Sequence, residues 1–349
     1  MEMLQEVGVF FLEAAIVVVA GVLLIAAFAG MSGRKKNKPE GHIEVTRLNE
    51  RYEGYRDAIR EHTEHASEAK ARQKAEKAAA KADDKKAKQR AKKGEDVMAK
   101  PRLYVIDFEG DTQANQVDAL REEVSAVLPE LRQGDEVLLR LESPGGVVHG
   151  YGLAASQLTR VRSAGHKLVV AVDKVAASGG YMMACVADEL MAAPFAVIGS
   201  IGVVAQLPNF HKLLKKNDID VELLTAGEYK RTLTLFGENT DKDREKFQQD
   251  LDDIHDLFKA FVKEQRPVVD VEAVATGEIW FGQRALDRQL IDAISTSDDY
   301  IQARLESHDI LVVSYSVKTS WQEKLGLSAE AALDRVLLRW WQRGQRPLP

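Results

Sequence analysis

Two serines and a lysine stand out from this sequence through what surrounds them. Ser178 opens the run Ala177-Ser178-Gly179-Gly180-Tyr181-Met182-Met183-Ala184, in which two glycines lead into an apolar helical stretch. A serine at the first turn of such a helix has an exposed hydroxyl beside free amide donors; alone, it reads as an N-cap. Ser200 follows 22 residues later in Ile198-Gly199-Ser200-Ile201-Gly202, which alone reads as a bulge or a close backbone crossing. Lys230 lies 52 residues after Ser178, within Tyr229-Lys230-Arg231, and by itself carries little signal because lysines are common on surfaces. Upstream, Ser143-Pro144-Gly145-Gly146 places two glycines after a proline: a tight turn with bare amides facing outward, or an ordinary strand-to-helix turn.

A serine hydroxyl needs a base before it attacks a carbonyl. Lysine can be that base only where burial disfavours its ammonium, and the apolar stretch 198–204 offers such surroundings. A histidine triad has less support. His42, His62 and His65 fall in a charged connector and His308 beyond the main domain, while His149, His166, His211 and His255 sit in no motif that pairs them with Ser178. They read as surface or helix-face residues. The single cysteine, Cys185, excludes an intramolecular disulfide framework and a cysteine-ligated zinc site. With no HExxH and no glycine-rich phosphate loop, the sequence calls for no metal and no cofactor.

Each of the four stretches falls just after an expected strand or at a helix start. Residues 103–108, 136–141 and 167–172 read as short buried strands, with helices over 114–131 and 149–163 between them. That alternation implies βαβ units, hence an α/β fold with a mostly parallel sheet. Further apolar runs at 189–193, 197–206 and 219–224 read as strands or core. A charged amphipathic helix fits 241–265, ending before Pro267. Residues 310–317 read as another strand, and 325–342 as an amphipathic helix suited to a subunit or membrane-surface contact or to packing on its own domain.

Charge divides the chain into three regimes. The overall formal charge is −6, yet residues 1–30 hold three glutamates and no Lys or Arg, residues 31–100 carry a net +7, and residues 101–349 a net −10. Residues 7–30 contain one charge, Glu13, and are long enough to cross a bilayer as a helix; the acidic amino end argues for an uncleaved anchor over a secretory signal. Residues 44–62 place Leu48, Tyr52, Tyr55 and Ile59 in a narrow helical stripe, and 66–93 form an Ala/Lys-rich helical or disordered spacer without an apolar face. The acidic bulk argues against nucleic acid as the main partner. The expected organisation is an anchor at 1–30, a charged connector at 31–100, a main domain at 101–300 and a carboxyl-terminal strand and helix at 301–349.

Taken together, SPGG, ASGGYMMA, IGSIG and a lysine at this spacing resemble the signal peptide peptidase A family of membrane serine proteases, in its short single-domain branch, over roughly residues 100–300. The resemblance implies a ClpP/crotonase-like fold of repeated ββα units forming a superhelix, with Ser178 as nucleophile, Lys230 as general base and Ser200 bonded to the lysine. It assigns oxyanion donors to the Gly145 and Gly179 amides. It also implies polypeptide substrates (signal-peptide remnants among them), a bacterial inner-membrane location in the lipid bilayer, and a homo-oligomeric ring in which serine and lysine can come from neighbouring subunits. Two other readings stay open: a catalytically silent membrane scaffold, and a crotonase-like acyl-CoA enzyme, which would not require the lysine. On orientation the signals conflict. Arg34, Lys35, Lys36 and Lys38 after the span favour a cytoplasmic domain by the positive-inside rule, whereas the resemblance implies the periplasm.

Overall fold

Consecutive buried residues, facing opposite sides of a covered sheet, explain why the apolar runs become strands. In the computed structural model, which describes residues 41–92 and 100–317, β1 (Gly41–Arg47) precedes α1 (Leu48–Thr63) and α2 (Ala66–Lys92). Next come β2 (Arg102–Glu109), α3 (Val117–Val127), β3 (Glu136–Glu142), α4 (Val148–Ser163), β4 (Lys167–Val172), β5 (Val175–Ala177), α5 (Gly179–Ala184), β6 (Glu189–Ala192) and β7 (Val197–Gly199). The order continues through α6 (His211–Lys216), α7 (Asp241–Gln265), α8 (Val271–Val274), β8 (Ile279–Phe281), α9 (Gly282–Asp287), β9 (Ala293–Ile294), α10 (Ser297–Gln302) and β10 (Asp309–Val317).

Seven strands form one sheet in the order β1-β10-β2-β3-β4-β6-β9, parallel from β10 through to β9. Leu103, Val105, Leu138, Val169 and Ala171 pack on one side with Leu48, Tyr300, Ile301 and Ile310. Their sequence neighbours Tyr104, Ile106, Val137, Leu139 and Val170 pack on the other, with Leu120 and Val124 of α3, Leu158 of α4 and Met183 of α5. A parallel sheet covered on both faces needs apolar residues at every position, which is why the strands read as unbroken runs. A second sheet, β5-β7-β8, pairs β5 parallel with β7 and β7 antiparallel with β8. A bridge from Ser143 to Ala176 ties the end of β3 to β5.

The expected helix at 241–265 is α7, opened by a capping box in which Thr240 and Asp243 bond each other's amides. Other expectations need correction. The helix read over 114–131 is shorter, because Ala114 takes φ 57° and the stretch Leu128–Glu130, which includes Pro129, tightens into a 3₁₀ turn. The run 197–206 is strand only as far as Gly199, where φ 104° at Gly199 and 52° at Ser200 turn the chain away. The run 219–224 forms no strand; among the described residues no strand pairs with it, and Ile219, Val221, Leu223 and Leu224 are exposed. Residues 41–47, which hold alternating β-branched Ile43 and Val45, form a sheet-edge strand instead of extending the connector helix. In α1, Leu48 is buried and Tyr52 packs beside it, while Tyr55 and Ile59 stay exposed. Among the described residues no helix is long and apolar enough to cross a membrane. The candidate span at 7–30 and the helix read at 325–342 lie outside the described residues.

Candidate active site

Register places the two serines side by side. β5 and β7 are parallel with Ala177 opposite Gly199, so Ser178 and Ser200 are the next residues past adjacent strand ends. The Ser178 amide donates to the Gly199 carbonyl at 2.8 Å, and the Ser200 amide donates to the Glu278 carbonyl at 2.6 Å. Both serines have φ 52°, and Ser178 combines it with ψ −118°. An L-residue in that region stores strain of about 1–3 kcal/mol and marks a sharp strand-to-helix turn. Ser178 sits at the N-cap position of α5, yet its hydroxyl makes no capping bond. The N-cap reading is thereby set aside, and the hydroxyl is left for the cleft.

The turn after β3 lies directly on Ser178. Gly145 has φ 86°, and a Cβ there would come within 2.6–2.8 Å of the Ala177 carbonyl, the Gly179 amide and the Ser178 Cβ. Only glycine permits that approach. The Gly145 amide donates to Ser143 Oγ at 3.0 Å and is therefore already engaged. Among the described residues the neighbouring Gly146 amide and the Gly179 amide make no hydrogen bond. Both glycines line the cleft onto which Ser178 opens.

Ser178, Ser200, Gly145, Gly146 and Gly179 share one cleft of about 870 Å³, whose apolar wall includes Met182, Val203, Val204 and Phe258. Lys230 is not part of it. That residue is exposed, in a turn where its amide donates to the Gly227 carbonyl at 3.2 Å, within the long irregular segment between β7 and α7. Just before it, Tyr229 lies beneath Lys242 and Lys246 of α7, with ammonium-to-centroid distances of 6.0 and 5.6 Å. The structure therefore gathers four of the five sequence-selected residues and leaves the fifth outside within a single chain.

Residues that the sequence reading passed over also shape the cleft. His255, read as a helix-face residue, lines it from α7, and its Nε2 is buried without a hydrogen-bond partner among the described residues. Its spacing from Phe258 and Val262, one helical turn and two along, was the available signal. Thr112 also lines the cleft, and its carbonyl accepts from the Val147 amide at 2.9 Å. Among the described residues no group of three or more His, Cys, Asp or Glu side chains is placed to hold a metal ion.

Comparison with known proteins gives this geometry a family. Residues 2–158 match the family described as "Peptidase family S49 N-terminal", and residues 160–310 match "Peptidase family S49". A "Probable protease SohB" of Haemophilus influenzae is 50% identical over 97% of this chain and 96% of its own. One from Buchnera aphidicola subsp. Acyrthosiphon pisum is 56% identical over 69% of this chain and 71% of its own. The more distant "Protease 4" of Haemophilus influenzae is 23% identical over 65% of this chain and 38% of its own. Matched by both family models and half identical to a relative along nearly its whole length, the chain belongs to peptidase family S49.

Proposed function

We propose that this protease is a membrane-anchored serine endopeptidase that uses a Ser178–Lys230 dyad assembled between neighbouring copies of the chain. The observation that carries the reading is the strained Ser178 turn, whose hydroxyl makes no capping bond, with the unbonded Gly146 and Gly179 amides lining the same cleft. Ser178 Oγ attacks the scissile carbonyl as its proton passes to Lys230 Nζ, and the two amides hold the oxyanion. Lys230 then gives the proton to the departing amine, and water releases the acyl group from Ser178 by the reverse sequence. Gly145, assigned a donor role by resemblance, serves here by close approach, its amide being spent on Ser143.

The position of Lys230 on an exposed segment supports delivery in trans. The cleft offers it Met182, Val203, Val204 and Phe258, apolar surroundings of the kind that let a lysine act as a base, and Ser200 stands next to Ser178 to receive its ammonium. The strand–strand–helix run β4-β5-α5 supports the crotonase-like superhelix. Residues 7–30 supply the anchor in the bacterial inner membrane, and the basic residues after them favour a cytoplasmic catalytic unit. An acyl-CoA enzyme of this fold has no use for Lys230, nor does a scaffold for a strained serine.

The test is complementation. Ser178→Ala and Lys230→Ala chains are each expected to be inactive towards an unfolded polypeptide, and mixing them in detergent to restore activity at mixed sites. A fluorophosphonate should label Ser178 in the wild type and not in Ser178→Ala. Wild-type turnover by Lys230→Arg, whose guanidinium cannot deprotonate, would overturn the dyad; absence of restoration on mixing would place both residues in one chain.

A further inference from the structure

Beneath the glycine turn runs a buried chain of hydroxyls whose direction can be worked out atom by atom. Tyr151, in the first turn of α4, donates its phenolic proton to the Asp111 carbonyl at 2.8 Å. Ser143 Oγ lies 2.6 Å from the same phenolic oxygen. Each hydroxyl has one proton, and that of Tyr151 is committed, so Ser143 donates and Tyr151 accepts. Ser143 Oγ in turn accepts from the Gly145 amide at 3.0 Å. Ser143 and Tyr151 are both 0% exposed, so no solvent competes. Burial also pushes the Tyr151 phenol above its ordinary range, which keeps its proton in place.

The same two residues also brace the Gly179 amide and the strand that leads to Ser178. A Cβ on Gly179 would overlap the Tyr151 ring, so the ring is the floor under one free amide. Ser143 donates its own amide to the Val175 carbonyl at 2.8 Å and accepts from the Ala177 amide at 3.0 Å, so its backbone is locked to β5, which leads to Ser178. Gly110 packs so closely on this pair that a Cβ there would lie 2.5 Å from Ser143 Oγ.

We propose that Tyr151, acting through Ser143, is a positioning residue that fixes the Gly145–Gly146 turn and the Gly179 amide at the spacing an oxyanion requires. The proposal rests on the serine-protease reading above. Neither side chain reaches the reacting atoms; the relay sets where the two amides point. Losing it lets the turn relax around φ 86° at Gly145, and misaimed oxyanion donors lower the rate of the chemical step without altering how the peptide binds.

Tyr151→Phe keeps the ring on Gly179 and removes the relay, and Ser143→Ala removes it from the other end. Each is expected to lower kcat about 10-fold with KM within about 2-fold, and to slow phosphonylation of Ser178 by the same factor, because the phosphoryl oxygen occupies the oxyanion position. The double variant should lose no more than the worse single, since one chain of bonds is cut twice. Amide exchange over 143–147 should speed up about 10-fold in Tyr151→Phe whether or not the protein is active. Unchanged exchange, additive losses, or a wild-type phosphonylation rate in folded Tyr151→Phe would each overturn the relay; if Tyr151→Phe does not fold, Ser143→Ala carries the same criteria. Failure of wild-type protein to label at Ser178 would instead remove the serine-protease reading, and exchange would still decide the relay.

Discussion

Around Ser178 the backbone is fixed from every side, whereas residues 203–240, which carry Lys230, hold on to little beyond themselves. Ser178, Gly145 and Gly179 rest on β5, on Tyr151 and on the end of β3, among residues with near-zero exposure. In the other region Val204 and Leu224 are 90% and 89% exposed, and Leu213, Ile219, Val221 and Leu223 also face outward. Its order comes from a small knot at its base. Asn209 donates to the Thr234 and Gly237 carbonyls at 2.9 and 3.1 Å, the Phe210 amide to Leu235 at 2.7 Å, and the Phe210 and Phe236 rings stack at 6.1 Å. Ser178, the proposed nucleophile, is thus positioned by one chain alone. Lys230, the proposed base, sits on a surface whose apolar side chains are uncovered among the described residues, the pattern of an interaction site.

The largest effect tests the division directly. Lys230→Arg should lower kcat by about 10²–10⁴-fold, the usual worth of a positioned base, while its thermal unfolding stays within about 1 °C of wild type because the side chain contacts no core. A loss of stability in step with activity would mean that residues 203–240 belong to the folded unit more closely than their exposure indicates.

A second effect separates assembly from chemistry. Leu224→Glu places a charge on the exposed segment, at a residue that does not line the cleft. Activity at low protein concentration should fall about 10-fold and recover as concentration rises, with sedimentation showing the matching shift in association. Concentration-independent activity in wild type and variant alike would place the working dyad within a single chain.

The third effect concerns the fixed region. Ser178 holds φ 52° and ψ −118° against the preference of an L-residue, and glycine has no such preference. Ser178→Gly should therefore be more stable than Ser178→Ala by about 1–2 kcal/mol in chemical denaturation, with both inactive. Equal stability would mean that the turn is relaxed and that the hydroxyl is placed without strain.

The same contrast explains what could be read from the sequence. Ser178, Ser200 and the glycine turn were legible because each sits at the end of an apolar strand, and strand ends are marked by composition. Their adjacency was not, since it depends on the parallel register of Ala177 with Gly199, and no local pattern encodes register between strands. Tyr151 was read as part of a helix and His255 as a helix-face residue; their roles depend on neighbours 8 or more residues away in the chain. The run 219–224 looked like a strand because its apolar content is real, but apolar content only says that a surface needs cover. Local periodicity cannot tell cover within the chain from cover by a second copy.

A last effect uses Cys185, which the sequence marked only as the lone thiol. It follows α5 with its Sγ donating to the Met182 carbonyl at 3.3 Å, and burial pushes its pKa up to about 12. In the unfolded chain a thiol ionises near ~8.5. The unfolded state therefore releases a proton that the folded state keeps, so this contribution to stability is complete below pH ~8.5 and is lost as pH climbs towards about 12. Between pH ~7 and ~10 the loss is about 2 kcal/mol. Cys185→Ala gives up about 1 kcal/mol of packing at neutral pH but has no proton to lose, so the wild-type advantage should shrink and reverse by pH ~10. Denaturant titrations of both proteins at the two pH values measure this difference, in which the ionisation of lysines and of buried Tyr181 cancels. A gap that stays constant with pH would show that Cys185 meets solvent as α5 opens, and that the floor beneath Ser178 is less rigid than its contacts indicate.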